Sequence, residues 1–87
     1  MTEEKRQAYL ILKLSLMNKL IFVKRGDFYE VYGSDAPIVA RILDTVCTSV
    51  QVDGGDRIPL VGVPYHAISG AIEELLAAGH EIVFSTL

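Results

Sequence analysis

The sequence predicts a small α/β (α+β) domain, one mixed β-sheet packed with about three helices in the order α-β-β-α-β-β-α-β. Three observations point there. At 87 residues, 51% hydrophobic and 22% charged, the chain has the composition of a single packed domain. Three stretches have helical composition or helical apolar spacing. Five short β-branched and aromatic runs are bounded by Gly, Asp or Pro.

The first segment, Glu3 to about Asn18, lacks Gly and Pro and is rich in Leu, with Lys, Gln and Ala among its other residues, so helix is expected. Leu20 to Lys24 and Phe28 to Gly33 are aromatic and β-branched runs joined at Arg25-Gly26-Asp27, the pattern of a β-hairpin. Ser34 is placed as an N-cap before an early-turn Pro37. Ile38, Val39, Ile42, Leu43 and Val46 then repeat at helical spacing, predicting a second helix to about Thr45. Thr48 to Val52 and Arg57 to Val63 flank the turn Asp53-Gly54-Gly55-Asp56 as two more strands. After Pro64, the stripe Ile68, Ile72, Leu75 and Leu76 opposes Glu73 and Glu74 until Gly79 stops a third helix. His80 to Thr86 closes the chain as a strand, with His80 expected exposed at its start.

No apolar run approaches the roughly 20 residues of a membrane span. The charged N-terminus leads into no cleavage-site pattern, so a cytoplasmic setting is expected. A single cysteine makes no internal disulfide, and Cys47 reads as a small buried residue beside Val46 and Val50. Residues 1 to 25 hold six basic side chains against two acidic ones, whereas the remainder holds two against nine. Overall acidity argues against a stand-alone, high-affinity nucleic-acid binder but leaves weak or assisted binding by the basic end.

Enzymatic readings find little support, and no catalytic residue, cofactor or metal is expected. His66 and Ser69 share a helix face without a third group. The histidines and Asp53 and Asp56 lack metal-ligand spacing, and no Gly-Lys-Ser/Thr phosphate loop occurs. Arg25-Gly26-Asp27 spells an adhesion tripeptide but reads as a turn. The informative stretch is Gly26-Asp27-Phe28-Tyr29-Glu30. Residues two apart on a strand share a face, so Phe28 and Glu30 project together and Tyr29 points away. An aromatic wedge can stack on a base or enter a base step from the minor groove, while a carboxylate is repelled by phosphate and helps only where a base edge satisfies it. The alternative is that Phe28 belongs to the core and Glu30 is a solvated strand residue.

Gly26-Asp27-Phe28-Tyr29-Glu30 resembles the Phe-x-Glu motif of the N-terminal mismatch-recognition domain of the MutS family. Ile58-Pro59-Leu60-Val61-Gly62-Val63-Pro64-Tyr65-His66-Ala67 resembles that domain's Pro-Met-Ala-Gly-Ile/Val-Pro-Tyr-His-Ala segment. Ala40-Arg41-Ile42-Leu43-Asp44 resembles its Ala-x-x-Leu-Leu-Asp helix, and Gln7 to Lys13 resembles its Gln-Tyr-x-x-x-Lys helix, in matching order and spacing over nearly the whole chain.

The resemblance implies weak binding of double-stranded DNA carrying a mismatch or small loop, without enzymatic activity in this chain. Phe28 would stack on the mispaired base and Glu30 would hydrogen-bond it, with Lys24 and Arg25 as candidate phosphate contacts. In the second block, Gly62 is expected to permit close backbone approach, Pro64 to set a rigid turn, and Tyr65 and His66 to hydrogen-bond locally. One departure is that Cys47 to Val52 brings no Lys or Arg where the family commonly follows Leu-Thr with basic residues, which removes expected phosphate contacts. Full-length members add connector, lever, clamp and ATPase domains, so the chain reads as one domain, an excised piece or a short relative. The competing reading is a MutS-fold protein-interaction module in a larger DNA-processing or mobile-element protein.

Overall fold

The computed structural model describes residues 1–87, in the element order read from the sequence: α1 (Glu3–Ser15), β1 (Lys19–Arg25), β2 (Phe28–Tyr32), α2 (Asp35–Leu43), β3 (Thr48–Gln51), β4 (Arg57–Pro64), a 3-10 turn (Tyr65–Ala67), α3 (Ile68–Ala77) and β5 (Glu81–Ser85). The strands form one mixed sheet in the order β3-β4-β2-β1-β5, antiparallel except for the parallel β1–β5 pair.

Each sheet face carries its own core. On one face Leu20, Phe22, Val31, Val61 and Val63 pack under α2 and α3, which contribute Ala36, Val39, Ala40, Ala71 and Leu75. On the other face Ile21, Val23 and Tyr32 lie beneath Tyr9 of α1, with Leu12, Leu16, Ile58 and Leu60 at the margin. The period of two in β1 and β2 sends alternate residues to the two cores, so both strands are buried on both sides for most of their length.

The β1–β2 loop is two residues long, with Arg25 paired to Phe28. Gly26 takes a φ of 58° at its first position, a conformation that glycine supplies without strain. Lys13 braces the same unit. Its Nζ donates to the Lys19 carbonyl at 2.6 Å and lies 2.5 Å from Asp35 Oδ2, tying the end of α1 to the starts of β1 and α2.

Several expectations are corrected. Helix α1 stops at Ser15, not Asn18, because the chain turns at Leu16 (φ −129°) and the Lys19 amide closes a turn onto the Leu16 carbonyl. Ser34 makes no side-chain cap to α2, its own backbone being helical. Helix α2 ends at Leu43 with Asp44 left-handed (φ 52°), which puts Val46 and Cys47 outside the helix, both exposed rather than buried. In α3 Leu75 is buried and Ile68 packs against the same core as predicted, but Ala71 is buried beside them while Leu76 is exposed. His80 is half-buried. No helix is long and apolar enough to cross a membrane.

Candidate nucleic-acid interface

Strand β2 inverts the usual polarity of burial. Phe28, at its start, is 47% exposed, while Glu30, two residues on, is 8% exposed and the only charged residue among the buried ones. The alternative in which the aromatic is core and the carboxylate solvated is therefore not the arrangement found. Both side chains share the α1 face, as their spacing requires, but the helix covers only Tyr32 and its neighbours and leaves the hairpin end open.

Phe28 faces the strand pair formed with β4, where Pro64 is its register partner and Glu30 is paired with Gly62. A Cβ added at Gly62 would stand 3.5 Å from Phe28 Cδ1, so the ring lies alongside the Gly62 backbone at ordinary contact distance. The expected close backbone approach at Gly62 is therefore not found, the nearest atom being a Phe28 ring carbon at ordinary contact distance. Phe28 keeps much of its surface free for a second partner.

Glu30 is held by protein donors. Tyr32 Oη donates to Glu30 Oε1 at 2.5 Å, and Arg25 Nη1 stands 3.7 Å from Glu30 Oε2. Tyr32 is fixed in turn by Tyr9, whose ring meets it edge-on at 5.3 Å and whose hydroxyl donates to the Tyr32 carbonyl at 3.0 Å. Burial, then the hydrogen bond and charge of Glu30, push the Tyr32 phenol well above its ordinary value. Burial, with Asp35 nearby, raises Tyr9 to about 12. A charge in this partly dry site has to be hydrogen-bonded, and Tyr32 supplies the bond.

The two cations flanking the hairpin part company. Arg25 lies on the face of Phe28 and Glu30. Lys24, one residue earlier, lies on the other face, with its Nζ 5.5 Å from the centre of the Tyr65 ring. There Tyr65 stacks on Tyr29 (centroids 6.2 Å, planes 21° apart), and Phe84 meets Tyr29 edge-on at 5.2 Å. The Tyr65 and His66 side chains are exposed and make no hydrogen bond. What fixes the 3-10 turn is the Tyr65 amide, which donates to the Asp27 carbonyl at 2.8 Å. Next to the Phe28 face, a cleft of about 220 Å³ has Lys5, Arg25 and Tyr32 among its walls. The larger concavity, about 550 Å³, lies between α2, β4 and α3, and none of Phe28, Glu30, Lys24 or Arg25 lines it.

Sequence reasoning missed Tyr32, Tyr9 and Lys5. The signal for Tyr32 was present, since residues 28, 30 and 32 share a strand face and the third can reach the second. Nothing local marks Tyr9, whose hydroxyl reaches across 23 residues of sequence, or Lys5, which the fold of α1 carries to the cleft.

The family model for MutS domain I matches residues 4–86. Proteins named "DNA mismatch repair protein MutS" are similar to this chain in several bacteria. The one from Desulfitobacterium hafniense is 39% identical over 82 residues, covering 94% of this chain and 10% of the relative. The one from Brevibacillus brevis is 41% identical over 76 residues, covering 87% and 9%, and that from Staphylococcus saprophyticus is 38% identical over 76 residues with the same coverage. The chain thus spans about a tenth of the length of these curated relatives. With a mixed five-stranded sheet, three helices and a family match from residue 4 to residue 86, the chain belongs to the MutS domain I family.

Proposed function

We propose that this chain is a mismatched-DNA-binding module that inserts Phe28 at a mispaired or unpaired base from the minor groove while Glu30 hydrogen-bonds that base. The observation that carries the reading is the inverted burial on β2, an exposed aromatic beside a carboxylate held in place by Tyr32. An exposed phenyl ring gains roughly 1 to 3 kcal/mol on stacking with a base. A buried carboxylate near phosphates contributes only when a base donor reaches it, and a mispaired base unstacks at least cost. Arg25 would meet a phosphate flanking the inserted ring, and Lys5 shares a cleft with it. Lys24 would reach the backbone around the edge of the hairpin.

In this reading the module is one domain of a mismatch-repair protein, non-enzymatic by itself, with the expected affinity near the non-specific range of about 10⁻⁴ to 10⁻⁶ M. The test is an NMR titration with a duplex carrying one G·T mismatch or one unpaired base, beside the matched duplex, at about 50 mM salt, where phosphate contacts still count. Shifts at Phe28, Glu30 and Arg25 that favour the mismatch are expected, and Phe28→Ala should weaken mismatch binding by about 10-fold. Unchanged mismatch binding in Phe28→Ala would sink the wedge.

A second reading, a protein-interaction module on the same fold, is favoured by the outer face of α1. There Leu10, Ile11 and Leu14 are exposed, and Met17 is exposed in the turn that follows. No response to either duplex at millimolar DNA would leave this reading standing alone.

A further inference from the structure

We infer that Tyr32 is a positioning residue for Glu30, selecting which carboxylate oxygen is presented to a base; the inference rests on the mismatch-reading role proposed above. The two oxygens of Glu30 are not equivalent. Oε1 receives the Tyr32 hydroxyl at 2.5 Å inside the fold, whereas Oε2 faces Arg25 at 3.7 Å, and the Arg25 side chain is 63% exposed. Oε1 is therefore occupied, and Oε2, which no donor reaches at hydrogen-bond distance, lies on the side of the largely exposed Arg25. A base N–H is the chemical partner that Oε2 can take.

Tyr32 is suited to this task because it cannot move independently. Its ring is buried and gripped edge-on by Tyr9, and its carbonyl accepts from the Tyr9 hydroxyl. Period-two geometry places Tyr32 on the same face as Glu30 and Phe28, so one short strand carries the wedge, the reader and the group that aims the reader. Without the hydroxyl, a nearly buried carboxylate would lose its neutral donor and swing toward water or Arg25, so its orientation would no longer be set before DNA arrives. A purely structural hydroxyl would affect stability and leave base discrimination untouched.

The test uses the 87-residue chain, with matched, G·T and single-unpaired-thymine duplexes, in wild type, Tyr32→Phe, Glu30→Ala and the double variant. Tyr32→Phe keeps the ring and removes only the hydroxyl. It is expected to bind matched DNA as wild type does, to lose about 3- to 10-fold of the mismatch preference, and to cost nothing further in the Glu30→Ala background. Full preference in Tyr32→Phe, with loss in Glu30→Ala, would overturn the positioning role while leaving the reading role intact. No preference in wild type would overturn both.

Two further measurements stand apart from Tyr32→Phe. In the DNA-free protein the Tyr32 hydroxyl proton should give a slowly exchanging NMR signal that shifts in Glu30→Gln, and its absence would overturn the bond itself. In Glu30→Gln, Tyr32 should hold the amide carbonyl and turn the NH₂ outward, shifting preference from an unpaired thymine, which offers N3–H, toward an unpaired adenine, whose ring nitrogens accept. Equal loss on both duplexes would overturn the orientation argument even if Tyr32→Phe failed to fold.

Discussion

On the face of the sheet beneath α2 and α3, ten side chains from three strands and two helices form one buried cluster. On the face beneath α1, four do, and β1, β2 and β4 continue past them to Arg25, Phe28 and Gly62, all exposed. One face holds the domain together, and the other is closed at one end and open at the end where the hairpin turns. The boundary between the closed and open parts is polar: Tyr9, Tyr32 and Glu30 form a chain of hydrogen bonds from the helix to the candidate site. A sheet with equally covered faces would be more stable and would have nowhere to seat an exposed aromatic beside a held carboxylate. In the proposed reading stability and recognition are divided between faces, and substitutions on each should then report on different properties.

The largest effect is expected on the closed face. Phe22 is fully buried and meets Phe84 edge-on at 6.0 Å. Phe22→Ala should cost about 3 to 5 kcal/mol of unfolding free energy, measured by urea denaturation followed by circular dichroism. In a domain this small that is a large part of the total, so the variant should be substantially unfolded in dilute buffer. A loss below about 1 kcal/mol would mean that the two faces do not divide the labour as described.

At the boundary, Tyr9→Phe removes one buried hydroxyl and should cost about 1 kcal/mol. It also carries a pH signature. The Tyr9 phenol is raised to about 12 in the folded chain, against an ordinary value of about 10, so above pH 10 the unfolded chain releases a proton that the folded chain keeps. The contribution of Tyr9 is therefore fully present below pH 10 and is lost as pH rises toward 12, on the order of 2 kcal/mol in all. Tyr32 is raised too and adds to the same slope from about pH 10 upward. Denaturant midpoints taken from pH 9 to 11.5 should fall less steeply in Tyr9→Phe than in wild type. Parallel curves would show that the Tyr9 phenol is no harder to ionise in the fold than out of it.

The division between faces was partly legible in the sequence. The order of elements, the Gly26 turn, the common face of Phe28 and Glu30, and the Gly79 stop all follow from local rules of period and backbone conformation, and Gly79 does take a φ of 92°. What local rules missed depends on contacts distant in sequence. Val46 completes a helical pattern on paper, but Asp44 turns left-handed and takes it out of the helix, so Val46 and Cys47 end in solvent. In α3 Ala71 is buried and Leu76 is exposed, a difference that depends on how the helix is set against the sheet and not on hydrophobicity read along the chain. The opposite faces of Lys24 and Arg25 were legible too, because they follow from the same strand alternation. That the exposed partner in Phe28-x-Glu30 is the aromatic could not be read locally, because it depends on where α1 stops covering the sheet.

The smallest effects concern those two cations, and they compare the faces most directly. If a duplex lies against Phe28, Arg25→Gln should weaken binding of matched and mismatched DNA alike and reduce the slope of log affinity against log salt by nearly one unit, as one lost phosphate contact does. Lys24→Gln should reduce it less, since the Lys24 ammonium sits over Tyr65 on the far face and reaches the backbone only around the hairpin edge. Neither change should move stability by more than about 0.5 kcal/mol, because Lys24 is exposed and the contact of Arg25 with Glu30 is 3.7 Å long at a largely exposed side chain. Equal salt slopes for the two variants would mean that DNA meets both faces of the hairpin. A larger effect at Lys24 would place the duplex against the Tyr29, Tyr65 and Phe84 surface and remove Phe28 from the centre of the contact.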